Sequence, residues 1–185
     1  ASGYALDIAS GSQPGVISDD NLFYLSGSAK AGFWSGAGRN TLIDWRTISG
    51  QDNNSLSADP LYVDMDGADN KLGVVGGVDY GADDNFHVNS PAGSYKGNGF
   101  APILSGAGIP VDQPAGSFTA DAGNYSPAID RGGESIPLTN EPAPNGTFTN
   151  LGAFGNTTQA SMSPSQYALV LLPNGAGRMG PVSLT

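Results

Sequence analysis

The densest concentration of groups able to do chemistry lies between Asp64 and Asp84. Asp64, Asp66, Asp69 and Asn70 surround Gly67, and Asp79, Asp83 and Asp84 follow. A hard cation such as calcium takes six to eight oxygen ligands, and alternate aspartates about a glycine turn can converge their carboxylates on one ion. The spacing D-x-D-G-x-D is not that of the twelve-residue EF-hand loop, because the glycine comes too early and no bidentate glutamate follows. Without a cation these carboxylates repel one another, so a bound ion would stabilise the fold by removing that repulsion. The competing reading is a solvated acidic turn whose aspartates accept hydrogen bonds from nearby backbone N–H groups. Calcium is thus the one cofactor that the residue pattern suggests.

Other reactive groups are sparse. His87 is the sole histidine, and between Phe86 and Val88 in a short strand it reads as a packed or surface residue rather than a general base. Histidine-built metal sites and Ser-His-Asp triads are effectively excluded, and no Gly-x-Ser-x-Gly elbow is present. With no cysteine there are no disulfides, thiolate zinc sites or cysteine nucleophiles. A carboxylate pair for glycoside hydrolysis could be drawn from the aspartates, Glu134 and Glu141, but the sequence does not choose one. A polysaccharide lyase would need a basic residue, and Lys30, Arg39, Arg46 and Lys96 are available without a context that singles one out. Flat aromatic rings can stack on sugar rings. Phe33 and Trp34, flanked by Gly32, Ser35, Gly36 and Gly38, are expected to expose one such ring, whereas Trp45 is expected to pack inward. The Asn-x-Ser/Thr matches at Asn53, Asn124, Asn145 and Asn156 are what chance supplies in an asparagine-rich chain.

The elements available to position these groups are short. Tyr4 to Ile8 alternates apolar with small or polar residues, a turn follows at Gly11 to Gly15, and Val16–Ile17 and Leu22–Leu25 read as further short strands. The convincing helix runs from Thr41 to about Ser49, with Thr41 as cap, Asp44 three residues on as a short-armed capping box, and Gly50 as the stop. Leu42, Ile43, Trp45 and Ile48 would form its apolar side. Gly93 to Gly133 and Ala143 to Gly155 promise loops and very short strands, and Tyr167 to Leu172 reads as one more strand.

Composition bounds the rest. The 185 residues suit one domain with a sizeable core, and 28 glycines with 13 prolines make it loop-rich. The formal net charge of -10 repels nucleic acid and anionic lipid surfaces, so neither is expected as a partner. The longest apolar run, Tyr167 to Leu172, is far short of the roughly 20 residues of a membrane span, so no membrane insertion is expected. No basic segment with an apolar h-region opens the chain, so any signal peptide is expected to be already removed or to lie upstream. The acidic, Asn/Gly/Ser-rich composition suits a secreted or cell-surface bacterial protein.

Six phrases together resemble a known family. Ser18 to Tyr24 (SDDNLFY), Trp45 to Ser55, Ala58 to Asp64 (ADPLYVD), Asp83 to Val88 (DDNFHV), Ser126 to Asp130 (SPAID) and Leu151 to Thr157 (LGAFGNT) occur in this order near the C-terminal end of bacterial right-handed parallel β-helix proteins of the pectate-lyase-like, secreted or surface-anchored kind. The resemblance covers Tyr4 to Ser163. It implies an all-β fold in which the first 35 residues supply the last β-helix coils, residues 1–163 form coils and a loop-rich cap, and residues 164–185 begin a following β-sandwich domain. It departs from the family at Met65, where proline is frequent, and in lacking the long upstream array. The function implied is a non-catalytic extracellular scaffold, adhesive or assembly domain, calcium-stabilised, self-associating head to tail through the open β-helix end. The alternatives are the C-terminal part of a polysaccharide lyase or hydrolase, or a carbohydrate-binding module with polysaccharide as partner.

Overall fold

The computed structural model describes residues 3–96 and 117–164. Strand β1 (Tyr4–Asp7), β2 (Leu22–Phe23), β3 (Lys30–Trp34) and β4 (Ala37–Arg39) precede helix α1 (Leu42–Ser49), the one α-helix among the described residues. Then come β5 (Leu56–Ser57), β6 (Tyr62–Asp64), β7 (Val74–Val75), β8 (Val78–Asp79), β9 (Asn85–Val88), β10 (Ser94–Tyr95) and β11 (Phe118–Thr119). They form one three-stranded sheet in the order β1-β3-β4 and four two-stranded sheets, β2-β5, β6-β9, β7-β8 and β10-β11. From residue 120 to 164 the described chain is turns and bends. The strand expected at Tyr167 to Leu172, and the β-sandwich it was expected to begin, lie outside the described residues.

The right-handed parallel β-helix is not found. Two pairings are parallel as coils would require, Tyr4 to Asp7 against Lys30 to Phe33 and Leu22–Phe23 against Leu56–Ser57. The ladder is closed by hairpins instead of being propagated. Ser35 and Gly36 (φ 52° and 74°) form a two-residue turn with both residues left-handed, which sends β4 back antiparallel on β3 with Trp34 opposite Ala37. Gly76–Gly77 (φ 61° and 84°) does the same between β7 and β8. The remaining sheets, β6-β9 and β10-β11, are antiparallel too, so no solenoid sheet forms among the described residues. With the coils goes the open coil end that was the premise for head-to-tail assembly. Val16–Ile17 is not a strand, and Ile17 is almost fully exposed.

The helix forms as its sequence dictates. Thr41 Oγ1 accepts the Asp44 N–H, the Asp44 carboxylate accepts the Thr41 N–H, and Gly50 ends the helix in the left-handed conformation. Its buried side is narrower than expected: Leu42 and Trp45 are buried, whereas Ile43 and Ile48 are exposed. A helix of eight residues over a three-stranded sheet covers one turn-wide contact, so only two residues one turn apart reach it. Trp45 meets Trp34 edge to face at 5.4 Å, and Phe23, Ala31 and Leu42 complete this first core. A second core of Val88, Ala128 and Ile129 takes in Leu22, Tyr62, Tyr125 and Leu151 at its margin.

Gly32 is required by the approach of α1. A Cβ there would overlap Cε3 and Cζ3 of Trp45 and come within 3.0 Å of the Leu6 carbonyl oxygen. Gly32→Ala is therefore expected to destabilise the fold by about 1–3 kcal/mol through overpacking, read from urea denaturation. An unchanged midpoint would show that Trp45 can move aside at no cost.

Candidate functional site

The acidic segment is folded by its own backbone. Asp69 Oδ1 accepts the Lys71 N–H at 2.9 Å, Asp79 Oδ1 the Gly81 N–H at 3.0 Å, Asp83 Oδ2 the Asp69 N–H at 3.2 Å and Asp84 Oδ2 the Gly73 N–H at 2.9 Å. The Asp64 and Asp66 carbonyls accept from Gly67 and Lys71, and Asn70, at φ 55°, directs its amide at the Ala68 carbonyl. Asp83 lies against Gly67, while Asp79 and Asp84 approach each other across Gly81. Among the described residues no three His, Cys, Asp or Glu side chains are grouped to hold a metal ion.

The aromatic pair is divided between core and surface. Trp34, 8% exposed, is packed on Trp45 and offers no sugar platform, a correction that follows from α1 crossing the face of β3. Phe33 is half-buried, its ring 5.3 Å from that of Tyr4. His87, in β9, is buried and stacked between Phe154 at 3.7 Å and Tyr95 at 5.1 Å. Three of the four cations considered for catalysis hold structure. Arg39 donates to the Trp34 carbonyl, Arg46 to the carbonyls of Asp52 and Ser55, and Lys96 pairs with Asp121 at 2.7 Å.

Glu141 is removed from solvent as well. Its Oε1 accepts the N–H groups of Asn150 at 2.7 Å and Asn156 at 2.9 Å. Burial raises its carboxyl above the usual range, the two N–H donors work against that, and the Asp130 charge adds to it.

A concavity lies where the Asp20 and Asn54 turns face residues 130–135. It has a volume of about 460 Å³ and is lined by Asp20, Asn54, Asp130, Arg131, Glu134 and Phe148, among others. Each side is held from beneath. Asp19 takes the backbone N–H of Asn54 at 2.7 Å and its side-chain amide at 2.8 Å, fixing that rim. Slight burial pulls the Asp19 carboxyl upward, but the donors from Asn54 and Asp20 outweigh it and hold it below its ordinary value. On the other side, Arg131 and Gly132 both donate to the Thr149 carbonyl, and Asp130 Oδ1 accepts from Ser163 Oγ and the Gly146 N–H. Asp20 and Asp130 both adopt left-handed φ, 54° and 55°, a conformation aspartate tolerates better than most residues.

Asp20 also lines a second cavity of about 210 Å³, walled by Leu22, Pro60, Tyr62, Val88, Ala128 and Leu151. The linings of the two hollows share Asp20. Of the lining residues, Asp20, Asp130 and Glu134 belong to the carboxylates among which the sequence chooses no pair. Compared with protein families, with curated proteins and with solved structures, the chain matches none.

Proposed function

We propose that this chain is a non-catalytic binding scaffold whose cleft takes an uncharged carbohydrate. The observation that carries the reading is the pair of neighbouring cavities, about 460 and 210 Å³, whose linings share Asp20. A pyranose ring presents hydroxyls at its rim and C–H groups on its faces. Asp20, Asn54, Arg131 and Glu134 supply donors and acceptors for the first, and Tyr62, Leu22 and Pro60 an apolar wall for the second. The net charge of -10 disfavours polyuronates and sulfated chains. Outside the cleft, His87 and Glu141 are buried and Arg39, Arg46 and Lys96 hold structure, so none of these five serves as a catalytic group on a bound sugar. An extracellular, surface-associated setting agrees with the acidic, Asn/Gly/Ser-rich composition.

The test is a glycan array followed by calorimetric titration with neutral oligosaccharides. Binding is expected to fall at least tenfold in Arg131→Ala and in Glu134→Ala and to be unchanged in Phe33→Ala. Failure to bind any neutral glycan, or loss with Phe33→Ala alone, refutes the cleft assignment. Release of new reducing ends would make the chain an enzyme.

A further inference from the structure

The hairpin of β7 and β8 stands on the surface without a core of its own. Leu72, Val74, Val75 and Val78 are 48%, 70%, 55% and 51% exposed, and the cross-strand pairs Val75–Val78 and Val74–Asp79 fall on opposite faces, so both faces meet water. A two-stranded hairpin with no buried face is marginal in water, and this one is held by local groups: the Gly76–Gly77 turn, the Tyr80 N–H on the Gly73 carbonyl at 2.8 Å, and the Gly73 N–H on Asp84 Oδ2 at 2.9 Å. No third strand pairs with it among the described residues. Because Gly73 and Tyr80 are hydrogen-bonded to each other, the next pair, Val74 and Asp79, directs its backbone N–H and C=O groups outward to the two edges.

The surroundings set the sign of what can cover it. Six aspartates lie between residues 62 and 84 against one cation, Lys71, whose ammonium sits 4.1 Å from the centre of the Tyr80 ring. Asp79 is in β8 itself, Asp84 holds the base of the hairpin, and Asp83 accepts the Asp69 N–H in the preceding turn. A second copy would bring the same carboxylates face to face on a chain of net charge -10, whereas a cationic partner is attracted to them.

We propose that this hairpin is a docking element for a cationic, aliphatic segment of a partner polypeptide, which adds to it as a third strand. Backbone groups at the open edge supply the ladder, the valines supply the apolar contact, and the aspartates select for lysine or arginine. Covering neighbouring exposed aliphatics drives the docking, and one added strand makes a small interface, so the complex is a transient one. None of the hairpin residues lines the cleft, so this proposal and the carbohydrate reading can each fail without the other.

The experiment is fluorescence anisotropy of a labelled octapeptide of alternating lysine and valine titrated with the full chain, beside glutamate–valine and all-lysine octapeptides. Saturable binding of the lysine–valine peptide is expected, about tenfold or more tighter than either control and weakening about tenfold as salt rises from roughly 0.05 to 0.5 M. Val75→Thr with Val78→Thr keeps the shape and β propensity of the pair but makes it polar, and is expected to weaken binding about fivefold. Asp79→Asn, which keeps an oxygen for the Gly81 N–H, should weaken it through charge alone and covers the case in which the valine variant opens the hairpin. Ile43→Thr, an exposed change on α1, should bind as the parent does. Equal binding of the all-lysine peptide would reduce the effect to unspecific acidity, and parental affinity in the valine and Asp79 variants would take the hairpin out of the contact. Dimers in light scattering that the valine variant abolishes would give the face to a second copy. Each of these overturns the proposal, as does no saturable binding up to about 1 mM chain.

Discussion

Asp52→Ala is expected to be among the most damaging single substitutions in this chain, lowering stability by about 3–5 kcal/mol. Asp52 is 1% exposed, and its carboxylate accepts four hydrogen bonds. Oδ2 takes the Trp45 indole N–H at 2.7 Å, and Oδ1 takes Asn21 Nδ2 at 2.7 Å, Ser55 Oγ at 2.7 Å and Ser18 Oγ at 3.1 Å. These donors come from α1, from the segment before β2 and from the segment before β5, so one side chain fastens the helix to both strands of a parallel pair. Truncation strands the Trp45 N–H in the core and leaves three further polar groups short of a partner, and each stranded group costs its desolvation. Asp52→Asn keeps one carbonyl acceptor but turns an amide toward some of these donors, so an intermediate loss of about 1–3 kcal/mol is expected. Urea denaturation followed by tryptophan fluorescence reads both. A loss below about 1 kcal/mol in the alanine variant would mean that water enters and replaces the carboxylate.

Acid is expected to destabilise the fold through His87. The ring is 1% exposed, and burial lowers its pKa to about 4, opposed by the hydrogen bond with Gln159 and assisted by the Lys96 charge. Asn85 Oδ1 accepts the His87 backbone N–H at 3.0 Å and lies 2.7 Å from ring Nδ1, while Gln159 Oε1 lies 3.1 Å from Nε2, so both ring nitrogens face oxygen. A histidine with a depressed folded pKa contributes its stability above the unfolded value of about 6.5. As pH falls below that value the unfolded chain takes up the proton first, so stability declines by about 1.4 kcal/mol per unit down to the folded value. The sum is on the order of 3 kcal/mol between about pH 6.5 and 4. His87→Phe retains the stack on Phe154 and Tyr95 without the titration. The difference between parent and variant should therefore slope across that window and be flat above it. Glu141, whose pKa burial raises, is common to both chains and cancels in the difference. Parallel pH profiles would remove His87 as the source of acid sensitivity.

Local determinants were readable one residue at a time. The capping box of Thr41 and Asp44, the stop at Gly50, the strand at Tyr4 and the inward packing of Trp45 all depend on groups within a few positions of each other, whose hydrogen-bonding and conformational preferences act before any tertiary contact exists. Composition likewise set the acidity and the prevalence of turns. Strand direction was not readable in this way. The parallel pairings of β1 with β3 and β2 with β5 agree with coils, and only the left-handed pair at Ser35–Gly36 shows the ladder turning back on itself.

The same limit governed the sites. Nothing in the residue type or spacing of Asp52 marks it, yet its four donors come from positions up to 34 residues away. Trp34 and Phe33 are neighbours in sequence, but pleating and the helix crossing buried one and left the other half-open. The cleft joins Asp20 and Asn54 to residues 130–135. Residue type and spacing specify what a group can do and which local turn it prefers. Which groups meet, and which lose their water, is a property of long-range packing, because burial and convergence exist only once distant segments share a volume.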